Sequence, residues 1–157
     1  MIVEYDTSGK IIQVVFDPVP DGYNEFMTKK GKTFLDIKPK KIDEKVFVDF
    51  DENSNPRYAE QIETPQIDIN TQYVDVNSLT LANRPNFDVP KTITLNVKNN
   101  EEYIIKDLPP GTTITFDGAI SEVKDEKIEL KAVDIGAFSF ALNCWPYLTA
   151  NIEVICQ

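Results

Sequence analysis

Four segments near the end of the chain decide its fold class: K-T-I-T-L-N-V (91–97), L-P-P-G-T-T-I-T-F-D-G (108–118), K-I-E-L-K-A-V-D-I-G-A-F-S-F-A-L (127–142) and Y-L-T-A-N-I-E-V-I-C (147–156). Apolar residues alternate with polar ones at period two, and turn residues separate the runs. That pattern places one face of each strand against a core and the other in water. Ile93, Leu95 and Val97 share a face, as do Ile128, Leu130 and Ala132, then Phe138, Phe140 and Leu142, and finally Ile152, Val154 and Cys156. Asp117-Gly118 is a two-residue hairpin signal, because both central positions of such a turn need positive φ. The spacing predicts about seven short strands over residues 89–157, the strand count of an immunoglobulin-like β-sandwich. The tryptophan between paired cysteines that marks true immunoglobulin domains is absent.

Upstream, Ile2–Asp6 and Lys10–Phe16 flank Thr7-Ser8-Gly9 and read as a hairpin. Pro18, Pro20 and Asp21-Gly22 then end the strand. Residues 23–27 carry no clear pattern. Residues 45–50 read as a strand with Val46, Val48 and Phe50 on one face, followed by a polar loop rich in Asn. Arg57-Tyr-Ala-Glu-Gln-Ile62 is the place where a short helical turn is expected, and residues 66–69 and 71–76 look extended. Two prolines and no periodicity over residues 83–90 set a domain join, giving a β-rich module over 1–88 and an immunoglobulin-like module over 89–157. The fold class is all-β.

Composition excludes several function classes. The chain of 157 residues has a net charge of −10, which opposes both a phosphate-bound nucleic-acid role and docking on an anionic membrane. It has no histidine, so histidine-based catalytic triads and histidine-ligated metal sites are absent. Two cysteines, Cys144 and Cys156, are too few for a four-thiolate zinc site, and hairpin geometry keeps them apart, so two free thiols are expected. No apolar run reaches the roughly 20 residues that span a bilayer. The first ten residues have neither the basic start nor the apolar core of a signal peptide, so the expectation is a chain not addressed for secretion. Seven lysines between Lys29 and Lys45 make one basic stretch in an acidic chain, read first as a solvated edge, with contact to an acidic partner as the alternative.

Two constellations carry candidate chemistry. Asp49, Asp51, Asn53, Asn55 and Glu60 occupy positions one, three, five, seven and twelve of a calcium-loop spacing, with Asp49, Asp51, Asn53 and Glu60 the candidate ligands. Ser54 stands where that loop needs glycine and Pro56 removes a backbone donor, so an ordinary acidic turn explains the same residues. Trp145-Pro146-Tyr147 is an aromatic cluster at a loop tip, a candidate sugar-stacking or partner-anchoring site, with a plug for its own sandwich as the plainer reading. Carboxylate pairs are expected by chance among 26 acidic residues, so none marks a glycosidase. Residue chemistry alone therefore gives a soluble, non-enzymatic all-β binding or structural module with no cofactor.

The opening I-V-E-Y-D-T-S-G-K-I-I-Q-V-V-F-D-P-V-P-D-G-Y resembles the start of small accessory proteins from tailed-bacteriophage structural modules. Y-V-D-V-N-S-L-T-L-A-N-R-P, followed by L-P-P-G-T-T-I-T-F-D-G and G-A-F-S-F-A-L-N-C-W-P-Y-L, is similar to phage virion proteins in which such a segment precedes an immunoglobulin-like module. The resemblance implies a structural component of the virion (head-decorating, collar or tail-fibre-associated) assembled in the host cytoplasm. Its implied partners are other virion proteins and further copies of itself. A second reading is an adhesion module that meets a host-surface glycan through Trp145 and Tyr147.

Overall fold

The computed structural model describes residues 1–157, except for the side chains of residues 43 and 44, and is mostly β with one short helix. The chain forms two compact units, Met1–Asn83 and Arg84–Gln157.

In the first unit, β1 (Ile2–Tyr5) is the middle strand of a three-stranded antiparallel sheet, between β2 (Ile11–Val15) and β3 (Phe34–Asp36). A central strand has neighbours on both edges, and all four β1 residues are buried. The buried Glu4 carboxylate is neutralised by Lys32 at 2.8 Å, as a charge taken out of water requires. The hairpin joining β1 to β2 turns through Gly9 at φ 85°, the left-handed region that glycine adopts without strain. Strands β6 (Gln72–Asp75) and β7 (Thr80–Asn83) form their own antiparallel pair. Val74 of β6 completes a small core with Val3, Tyr5 and Ile11, and its N–H donates to the Gly9 carbonyl at 2.9 Å. Residues 66–69 are not a strand; Ile67 packs on that same core instead.

The one helix, α1, runs over Tyr23–Lys29, where the sequence shows no pattern, directly after the Asp21-Gly22 turn. Gly22 caps it in the left-handed conformation, Met27 is buried, and the Tyr23 and Phe26 rings meet at 5.9 Å. The helical turn expected at residues 57–62 is instead strand β5 (Pro56–Glu63), paired antiparallel with β4 (Lys40–Phe50). The backbone of 56–63 meets its hydrogen-bonding needs across the hairpin rather than within itself. Among the described residues no other strand pairs with this hairpin, and all of β5 is solvent-exposed.

A register shift between Phe47 and Asp49 changes the expected faces of β4. Phe47 lies opposite Tyr58 and Asp49 opposite Arg57, so Val48 is the extra residue of a bulge. One extra residue turns the following ones over. Phe50 therefore sits on the side of Phe47 and not, as the simple alternation suggests, beside Val46 and Val48.

The second unit contains the seven strands expected from the alternation. These are β8 (Thr92–Leu95), β9 (Glu102–Ile105), β10 (Thr113–Phe116), β11 (Ala119–Glu122), β12 (Ile128–Lys131), β13 (Gly136–Asn143) and β14 (Ala150–Cys156). Five form one sheet in the order β11-β10-β13-β14-β8, and β12 pairs with β9. β8 runs parallel to β14 and the other neighbours are antiparallel. Asp117 and Gly118 have φ 45° and 77° and join β10 to β11 as the turn signal requires. Phe140 and Leu142 lie opposite Ile152 and Ala150. With Val154, Leu95, Ile105 and Phe87 they make the larger core, in which Leu142, Ile152 and Val154 are fully buried. Each such side chain stabilises the fold by about 1.5–3 kcal/mol relative to exposure.

The two units meet between Asn83 and Arg84, whereas the prolines place the join at 88/89. Phe87 lies in the larger core, and the Leu148 N–H donates to the Pro85 carbonyl at 2.8 Å, which ties residues 84–88 to the second unit. Both thiols are free, Cys144 half-buried and Cys156 buried. No described helix is long and apolar enough to cross a membrane.

Candidate functional site: an exposed aromatic hairpin

The loop from Asp51 to Asn55 joins β4 to β5. The Asp51 carboxylate accepts the N–H groups of Asn53 at 2.8 Å and Asn55 at 2.9 Å, and Ser54 takes positive φ. The Asn55 backbone N–H, and then its side-chain amide, hold the Asp51 carboxyl below its usual pKa. Asp49 is gripped through both oxygens by the Arg57 guanidinium, whose hydrogen bonds lower the Asp49 pKa. Glu60 accepts from Lys41 at 2.5 Å.

Three of the four candidate calcium ligands, Asp49, Asp51 and Glu60, are thus engaged separately. Asp49 lies opposite Arg57, and Glu60, three residues farther along β5, projects to the other face of the hairpin. Asp51 points into its own turn, and the Asn53 backbone caps it. Among the described residues no group of three or more acidic or cysteine side chains is placed to hold a metal ion. What the loop does instead is close the hairpin.

Trp145 and Tyr147 sit in the corner between β13 and β14, and both are half-buried. The Arg84 guanidinium lies 4.9 Å over the Trp145 ring, donates to the Pro146 carbonyl at 2.8 Å, and also donates to the Tyr147 carbonyl. The Tyr147 ring packs 5.0 Å from Phe87, against the larger core. One face of Trp145 is therefore occupied by a cation and Tyr147 plugs the module. The pair is held in a corner fixed by these contacts. A cleft of about 470 Å³ beside it is lined by Asn86, Phe87, Lys91, Leu148, Thr149 and Asn151, with no acid–base pair among them.

The feature that the sequence pattern concealed is the aromatic face of the β4–β5 hairpin. Phe47 contacts Phe50 at 5.1 Å and Tyr58 at 6.2 Å, both edge-on. These rings form a contiguous cluster, yet Phe47, Phe50 and Tyr58 remain 47%, 62% and 56% exposed. Val46, Val48 and Ile62 are also exposed. Scattered surface hydrophobes need no explanation, but a contiguous patch on an otherwise uncovered element marks an interaction surface. The signal was present in the V-F-V-D-F run and in Tyr58 and Ile62, but only the Val48 bulge gathers the rings on one side. No family model, curated protein or solved structure matches the chain.

Proposed function

We propose that the protein is a non-enzymatic structural component of a tailed-phage virion. Its first unit docks to the particle through the β4–β5 hairpin, and its second unit is an immunoglobulin-like module. The observation that carries this reading is the hairpin itself. An isolated two-stranded ribbon is marginal in water, and this one leaves six large apolar side chains uncovered. Such an element is suited to burial in an assembly. The chain contains no histidine, and Asp49, Asp51, Glu60 and the aromatic corner are each committed to structural contacts, which fits architecture better than chemistry. Seven strands in two sheets around one core support the immunoglobulin-like description of the second unit. The resemblance of the opening residues and of the segments around Arg84, Gly111 and Trp145 to virion proteins supplies the phage context. In this reading assembly takes place in the host cytoplasm and the partners are other virion proteins.

Density-gradient fractionation of lysate from the natural source tests the proposal. The chain is expected to band with intact particles and to stay with them through salt washes. Recovery only in the particle-free fraction, or a robust hydrolytic activity of the purified protein, would contradict it.

A further inference from the structure

We infer that the β4–β5 hairpin pairs with the same hairpin of a second copy of this chain, strand β5 against strand β5, antiparallel and about a two-fold axis at Glu60. The inference rests on the assembly reading above and names the partner. The two edges of the ribbon are not equivalent. Both register irregularities of the hairpin, at Ile42/Lys45 and at Phe47/Asp49, interrupt the pairing on the β4 side. Bulges of this kind blunt an edge against further pairing. The β5 strand has no such defect. All eight of its residues from Pro56 to Glu63 take part in consecutive rungs, and all are exposed. It is a regular, open edge able to accept another strand.

The residues along β5 are complementary to themselves when the strand is reversed. A two-fold axis normal to the ribbon pairs residues of the same face; axes at Ala59 and at Glu60 give equally long overlaps within Pro56–Glu63, and only the Glu60 axis sets opposite charges against each other. Arg57 then faces the second copy's Glu63, Tyr58 faces Ile62, and Ala59 faces Gln61. Opposite charges and aromatic–aliphatic pairs directly across an antiparallel rung are favourable, each by about 0.2–1 kcal/mol. The two Glu60 residues meet at the centre, but each is already neutralised by Lys41 of its own chain. The axis therefore crosses an alternation of charges instead of a bare acidic pair.

The same operation also joins the aromatic faces. Phe47, Phe50, Tyr58 and Ile62 share one side of the ribbon, since Phe47 pairs with Tyr58, Phe50 with Pro56 and Lys41 with Ile62. In the four-stranded sheet β4-β5-β5-β4 this side becomes continuous across both copies. In-plane pairing leaves this joined face open, so the seam itself is held by the backbone hydrogen bonds of the new rungs and by the Arg57–Glu63 and Tyr58–Ile62 contacts across it. An isologous contact of this kind closes on itself as a dimer.

Site-specific disulfide trapping on the full chain tests this geometry. Residues directly opposite in an antiparallel pair have Cα atoms about 4.5–5.5 Å apart, within disulfide reach. Glu60→Cys is expected to convert to a covalent dimer on mild oxidation. Arg57→Cys, about 20 Å from its own symmetry mate at 3.4 Å per residue, is expected to lose that cross-link, as is the wild type with only Cys144 and Cys156. Equal cross-linking of Glu60→Cys and Arg57→Cys would overturn the register. A multimer in which Glu60→Cys fails to cross-link would overturn arm pairing while leaving assembly intact, and a strict monomer would remove both.

Discussion

A Cβ placed on Gly9 would lie 2.0 Å from the Val74 carbonyl oxygen, and the residue itself sits at φ 85°. The Gly9 carbonyl in turn accepts the Val74 N–H, so two backbones touch where the β1–β2 hairpin meets β6. Any side chain here combines left-handed strain with a steric clash. Gly9→Ala is expected to destabilise the first unit by about 2–4 kcal/mol, read by urea denaturation; a loss below about 1 kcal/mol would contradict the contact. That Ser8-Gly9 makes a turn is readable locally, from composition alone. That Gly9 must be glycine for a second reason is not, because the atom it would strike comes from a distant strand. Arg84 is hidden in the same way. It clamps main-chain carbonyls at Pro146 and Tyr147, and neither its spacing nor its neighbours announce that contact.

Four turns between elements are built alike. Asp6, Asp51, Asp68 and Asp75 each accept the N–H of the residue two positions on, at 2.8–3.0 Å. Hydrogen bonds lower all four carboxyl pKa values. The largest cause is the Ser8 hydroxyl for Asp6 and a backbone N–H, from Asn55, Asn70 and Asn77, for the other three. A carboxyl pKa that is lower folded than unfolded gives stability that is fully present above the unfolded value and is lost as pH falls through the folded one. The melting temperature is therefore expected to hold between pH 7 and 5 and to drop below about pH 4. A melting temperature that rises from pH 5 to pH 3 would contradict this. Such Asp-x-Ser and Asp-x-Asn turns are legible in sequence because one side chain and one nearby N–H suffice. Strand β5 is less so. Tyr58 and Ile62 are four apart, a spacing that suits one face of a helix and one face of a strand equally, and Ala59, Glu60 and Gln61 favour helix. The α1 pattern of Tyr23, Phe26 and Met27 fits helical spacing but is too short to stand out. The Val48 bulge leaves no local mark, so the aromatic face of the arm emerges only from the folded register.

At the scale of the molecule, the alternation in residues 91–156 foretold the strands of the second unit well, since every strand there except the exposed β11 has one face on a shared core. The first unit was harder to read because its apolar residues serve two purposes. Val3, Tyr5, Ile11 and Val74 build a core, while Phe47, Phe50 and Tyr58 face water. Sequence alone does not separate the two groups. The net charge of −10 makes copies repel at low salt, so association belongs at physiological ionic strength, where screening acts within about 8 Å. Light scattering behind size exclusion, on the wild type and on Arg57→Ser/Tyr58→Ser/Ile62→Ser side by side, tests the assembly role most directly. The wild type is expected at a multiple of 17.8 kDa. The triple variant is expected at the monomer mass with an unchanged melting temperature, because none of its three positions belongs to either core. A wild type that remains at 17.8 kDa at every concentration, or a triple variant that still multimerises, would contradict the arm as the element of assembly.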